Sequence, residues 1–238
     1  MQVITLAQQK GGVAKTTVAI HLAAEATRKG RRAVILELDR QGTASQWSER
    51  RPYTADATDL LKGVDRAKVP PEVVRAEAAH LEMALAALAG AGIDLVVIDL
   101  PGTHSPAITP AIRAADLTII PTRPNEIDIA ASAETLATVR RLGKRYVYVL
   151  TFIPSKGSRE EEARDALEEE GHAVAPGGLG LLIDFADAIA AGQTVQEWKP
   201  TSKAAEQVRG LWKWIEKKLH EENDEKEITG RGRHARGS

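Results

Sequence analysis

Short runs that are almost wholly apolar recur along the chain, at Val3 to Ala7, Ala33 to Leu38, Leu95 to Leu100, Leu117 to Pro121 and Tyr146 to Thr151, with a weaker one from Leu179 to Ile183. Continuous rather than alternating hydrophobicity marks strands covered on both faces, and helical stretches between such strands mean parallel βαβ units. The pattern predicts an α/β fold: a doubly wound, mainly parallel sheet with helices on both faces. Ligands of such sheets bind beyond the carboxyl ends of the strands. The loops that should hold the chemistry therefore begin at Gln8, Asp39, Pro101, Thr122 and Phe152.

The first of these loops carries the strongest signal. Lys10-Gly11-Gly12-Val13-Ala14-Lys15-Thr16-Thr17 follows an apolar strand and opens a helix. Successive backbone N–H groups in such a turn can surround a polyphosphate at the helix N-terminus. Lys15 and Thr16 fall in the positions for the β/γ-phosphates and for Mg2+. The usual first glycine of a phosphate loop is here Gln9, and Lys10 follows it. Two lysines in one tight turn repel each other unless a strong anion lies between or beside them. A triphosphate would supply that anion.

Two further strands deliver acids to the same edge of the sheet. Asp99 ends Leu95 to Leu100 and precedes Pro101-Gly102, where a carboxylate can orient Mg2+ through a water. Asp39 follows Ala33 to Leu38 and is the candidate for orienting or deprotonating the attacking water, with a second, water-mediated metal contact open to it. Glu37 reads equally well as a catalytic acid or as a strand-end acid paired with a nearby cation or helix terminus.

The doubled-lysine loop, Leu38-Asp39-x-Gln41-Gly42 and Val97-Ile98-Asp99-Leu100-Pro101-Gly102 together resemble the ParA/MinD family of deviant Walker A ATPases, most nearly the small ParA-type DNA-partition ATPases. Supporting stretches are Ala115 to Pro121 with Pro124, and Pro200 to Ala205, so the resemblance covers roughly residues 1 to 220. It implies a P-loop ATPase that works as an ATP-dependent homodimer, a nucleotide sandwich in which Lys10 reaches the partner's ATP. By the same resemblance, Lys15 binds its own β/γ-phosphates, Thr16 ligates Mg2+, Thr17 contacts the α-phosphate side, and Gly11, Gly12, Val13 and Ala14 supply the loop backbone. Thr151, Phe152 and Pro154 lie where the family's adenine pocket forms. Implied partners are non-specific DNA and a ParB-like adaptor or cargo-linked activator, with slow ATP hydrolysis accelerated by that partner to reset the switch that positions plasmid, chromosome or other cargo.

Two residues depart from the family pattern. Ala14 stands where a glycine is usual before the loop lysine, and a Cβ there costs about 1 kcal/mol if φ is positive. Arg40 stands where a proline usually follows the switch aspartate.

Near the end of the chain, Ala204, Val208, Leu211, Trp212, Ile215 and Leu219 repeat at helical spacing, while Arg209, Lys213 and Lys217 form a basic stripe beside them. A solvated helix face accounts for the stripe; with the family resemblance, it becomes a candidate for binding DNA phosphates without reading bases. The alternative is a membrane-cycling positioning ATPase of the MinD type, with Trp212, Trp214, Ile215 and Leu219 in an amphipathic anchor. Glu221, Glu222, Asp224 and Glu225 follow at once and oppose anionic lipid, so no membrane partner is expected. A P-loop metabolic enzyme is the third reading.

Composition narrows the field. With 238 residues, a net charge of −1 and no cysteine, the chain suits one P-loop domain over residues 1–220. It does not suit a grossly basic nucleic-acid binder, a disulfide scaffold or an iron–sulfur protein. The six histidines show no metal-binding spacing. No signal-peptide pattern and no apolar run long enough to span a bilayer occurs, which fits a cytoplasmic location, and the family resemblance implies association with the nucleoid. The run Arg159 to Glu170 holds seven acidic residues and reads as a solvated helix. Residues 221–238 are polar enough to predict a disordered tail, part of it readable as a cloning remnant.

Overall fold

A computed structural model describes residues 1–51 and 70–234, and side chains as far as Glu221. Among the described residues, seven strands form one sheet in the order β3-β2-β4-β1-β5-β6-β7. They are β1 (Gln2–Leu6), β2 (Ala33–Glu37), β3 (Glu72–Arg75), β4 (Leu95–Asp99), β5 (Leu117–Thr122), β6 (Tyr146–Ile153) and β7 (Leu179–Gly180). Every pairing is parallel, as continuous apolar runs joined by helices require.

Alternate side chains along the strands feed cores on opposite faces of the sheet. Ile4, Leu6, Ile35, Val97, Ile119 and Val149 pack on one face under α1 (Lys15–Arg28) and the C-terminal helix, which runs Lys203–His234. Val3, Leu36, Val96 and Ile98 point to the other face, against Leu81, Ile108, Ile112 and Val139. Both faces are sealed. The carboxyl ends of β1, β2 and β4 consequently lie side by side, in register from Leu6 to Asp99 and from Glu37 to Asp99.

Some details differ from the sequence pattern. β3 has no apolar run to mark it: only Val73 and Val74 are apolar, because an edge strand pairs with one neighbour and keeps charged ends in water. β7 is two residues long, and Ile183 begins a helix rather than ending a strand. Phe152 lies inside β6 rather than opening a loop, although its φ of 52° disturbs the pairing with β7. The C-terminal helix carries its backbone to His234, into the stretch for which composition predicts disorder, and residues 235–238 lie outside the described residues.

Candidate active site

The loop after β1 turns through two left-handed residues before α1 begins. Gly12 has φ of 70°, and Ala14, which immediately precedes the helix, has φ 64° and ψ 28°. The second value meets the condition under which a Cβ is costly. The turn brings Lys15 into the helix start with its side chain buried, and its Nζ donates to the carbonyl of Lys10 at 3.2 Å. Burial pushes the Lys15 ammonium below its ordinary pKa, while the charges of Asp99 and Asp39 oppose that shift. Gly102 closes the loop from the β4 side: a Cβ there would lie 2.8 Å from Gly11 Cα and 3.3 Å from Lys15 Nζ. Only glycine fits this approach.

Asp99 and Thr16 meet directly. The Thr16 hydroxyl donates to Asp99 Oδ2 at 2.7 Å, and the carboxylate is fully buried. Asp99 Oδ1 has no hydrogen-bond partner among the described residues. Burial raises the Asp99 pKa to about 7, although the Thr16 bond and the Lys15 charge pull it down. An unsatisfied buried carboxylate oxygen beside a threonine hydroxyl suits a hard cation with oxygen ligands, and Mg2+ keeps waters that could bridge to it. No group of three or more His, Cys, Asp and Glu arranged to hold a metal occurs among the described residues. A substrate phosphate would have to complete the coordination.

Asp39 begins a short switch loop on the opposite wall. Its Oδ1 accepts the Gln41 N–H at 2.9 Å, and Gly42, at φ 69°, leads into α2 (Thr43–Glu49). Glu37 takes the structural side of its two readings. It is buried, and its carboxylate accepts the Ala44 N–H at 2.7 Å and the Ser45 N–H at 3.3 Å, satisfying the exposed donors of the helix start. Arg75 reaches over from β3, 3.8 Å from Glu37 Oε2, and donates to the Arg40 carbonyl at 3.3 Å. Asp39 thus hangs from a loop tied at both ends.

Between these walls lies a cavity of about 380 Å³, lined by Gly12, Lys15, Thr16, Thr17, Asp39 and Phe152 among others. A second cavity, of about 320 Å³, continues on the far side of Phe152 and is bounded by Arg123, Asn125, Pro154 and Leu181. Of the three residues implied for a base pocket, Phe152 and Pro154 line these cavities. Thr151 lines neither: it is buried beneath the loop, with its hydroxyl donating to the carbonyls of Val13 and Thr122, each at 3.2 Å. It supports the loop from below.

Several participants come from residues that sequence patterns left unmarked. The Arg123 guanidinium stacks 4.8 Å from the Phe152 ring centroid and donates to the Gly12 carbonyl. Asp128, in the helix Glu126–Ala130, forms an ion pair with Lys10. Asn125, three residues earlier, caps that helix by accepting the Asp128 N–H at 2.9 Å. That Asn-x-x-Asp spacing was the available signal for Asp128. Nothing local pointed to Arg123 or Arg75.

The basic stripe lies away from these loops, on the C-terminal helix. Lys213 and Lys217 are exposed, whereas Arg209 is half-buried and donates to the Pro200 carbonyl at 2.9 Å. On the same helix Trp212, Ile215 and Leu219 are buried in the core and Trp214 is half-buried, so the apolar face needed for a membrane anchor is already covered. No helix among the described residues is long and apolar enough to cross a membrane.

Comparison with known proteins agrees with this geometry. The profile of a family described as ATPase MipZ matches residues 2–168. The chromosome-partitioning ATPase Soj of Thermus thermophilus is 30% identical over 230 residues, covering 87% of this chain and 92% of that protein. Protein IncC of Escherichia coli is 28% identical over 258 residues, covering 92% of this chain and 70% of that protein. Among solved structures, the cell division ATPase MinD of Pyrococcus furiosus superposes with a TM-score of 0.70 at 19% identity, over 91% of this chain and 98% of that one, a likeness of fold.

Proposed function

Since the chain belongs to the MipZ group of ATPases, within the ParA/MinD family of deviant Walker A ATPases, we propose that it is an ATP-dependent switch. It dimerises around Mg-ATP, binds DNA without sequence preference, and is reset by partner-stimulated hydrolysis. The observation that carries this reading is the convergence of Lys15 and the Thr16–Asp99 pair at one loop edge, with Lys15 and Thr16 facing Asp39 across one cavity and the Lys10 side chain turned toward Asp128.

The residues divide the work by charge. Backbone N–H groups from Gly11 to Thr17 and the Lys15 ammonium take the β/γ-phosphates, where charge grows during transfer. Thr16 directly and Asp99 through a water would hold Mg2+, which would supply neutralisation of the phosphate oxygens. Asp39 orients the attacking water and accepts its proton, and Gln41, Glu37 and Arg75 fix the loop from which it acts. Phe152 and Pro154 face the nucleoside, with Arg123 stacked on Phe152. Lys10 serves the triphosphate of the second copy. The Soj and IncC likenesses support a partition role, in which the cargo is DNA or a body carried on it.

Sedimentation with and without a non-hydrolysable ATP analogue and Mg2+ tests the proposal. Wild-type protein should shift from monomer to dimer mass, and Lys10→Ala should remain monomeric while still binding nucleotide. A wild-type chain that stays monomeric at saturating analogue would end this reading.

A further inference from the structure

We propose that Asp128 is a positioning residue that holds Lys10 on its own subunit until a polyphosphate takes the lysine over. The inference rests on the reading above, in which this loop serves a triphosphate shared by two copies.

The starting point is electrostatic. Lys10 and Lys15 share one tight turn, and each needs a nearby anion. Lys15 has the charges of Asp99 and Asp39. Lys10 turns the other way and pairs with Asp128 Oδ1, and the Asp128 side chain is 3% exposed against 37% for Lys10. The carboxylate is not free to follow the lysine. Its Oδ2 accepts from Asn125 Nδ2 at 2.7 Å, and its own N–H donates to Asn125 Oδ1 at 2.9 Å. Asp128 is therefore a fixed, buried acceptor, and Lys10 is a half-exposed, flexible donor that can leave it.

Burial alone would raise the Asp128 pKa, yet Lys10 and Asn125 keep it below the usual carboxylate value, so the acceptor is charged at neutral pH. Stripping a buried carboxylate of its cation is costly unless another charge stands by. Arg123 stands by: its charge also acts on Asp128. A triphosphate carries several negative charges against one on Asp128, and it can draw Lys10 away while Arg123 remains beside the carboxylate. The hold lowers the fraction of molecules ready to pair, and apparent nucleotide demand rises by the same factor.

The test uses the full chain and Asp128→Asn, which keeps side-chain volume and the backbone bond to Asn125. Acylation of Lys10 by an amine-reactive ester is followed by peptide mass spectrometry without nucleotide, with exposed Lys213 as the internal reference. Sedimentation against a titration of the non-hydrolysable ATP analogue follows. Asp128→Asn should label Lys10 about fivefold faster, leave Lys213 unchanged, and reach half-dimer at about one-fifth of the wild-type analogue concentration. Unchanged Lys10 labelling overturns the hold. Faster labelling with the same or a higher dimerisation midpoint also overturns it, because Asp128 would then be only a structural ion pair or one needed after assembly. Failure of both proteins to dimerise at saturating analogue sinks the sandwich reading and the exchange with it, whereas unchanged labelling in proteins that do dimerise sinks the hold alone.

Discussion

Ala14 sits in a left-handed turn that glycine adopts freely and alanine resists by about 1 kcal/mol. The strain lies in the backbone of the folded chain, so relieving it should appear as stability. Ala14→Gly is expected to raise the melting temperature by about 2 °C, less than the full strain because glycine also gains freedom in the unfolded chain. Scanning calorimetry checks this, and a lower melting temperature would show that the Cβ contributes packing that outweighs the strain. Asp99 gives a prediction of the opposite kind. Its folded pKa of about 7 lies above the ordinary carboxylate value, so the folded state binds the proton more tightly than the unfolded chain. Its contribution to stability is complete below about pH 4 and is lost as pH rises through about 7. Nucleotide-free protein should therefore melt lower at pH 8 than at pH 6, and Asp99→Asn should flatten that difference. Equal slopes in the two proteins would assign the pH dependence elsewhere. At this scale the sequence marked every group on the phosphate loop, because they are consecutive in the chain. It marked neither Arg123 nor Arg75, which reach the site only through strands distant in sequence.

At the scale of elements, the C-terminal helix shows how far a repeat pattern can be read. The apolar repeat named the buried face correctly, from Ala204 to Leu219. It could not show that Arg209 is engaged by the Pro200 carbonyl while Lys213 and Lys217 extend into solvent. Periodicity assigns a side chain to a face but does not say which backbone oxygen comes near it. The stripe as a DNA contact therefore depends on the two lysines. Lys213→Glu with Lys217→Glu is expected to weaken ATP-dependent DNA retention by about tenfold or more near 0.1 M salt and to flatten its salt dependence. Arg209→Ala should have the smaller effect. Filter binding across a salt series measures both, and retention unchanged in the double variant would move the DNA contact to another surface. β3 makes the complementary point: four residues with two valines carry too little hydrophobic pattern to announce a strand, yet they deliver Arg75 to the switch loop.

For the whole molecule, the sequence by itself determined the parallel sheet, the order along the chain of its strands other than β3, and the phosphate loop with Asp39 and Asp99 at strand ends. Those features follow from local causes: continuous apolar runs demand cover on both faces, and a glycine-bearing turn between strand and helix has few alternatives. Only the tertiary structure decided which strands are neighbours, and with that which distant charges meet. The order β3-β2-β4-β1-β5-β6-β7 puts Glu37, Asp99 and the phosphate loop at one edge, and places the loop after β5 on the other side of Lys10. Charge pairing acts through space at a few ångströms, and no local rule of sequence encodes which loop will stand there. For that reason the need of Lys10 for an anion was legible in the chain, while the identity of the carboxylate that meets it was not.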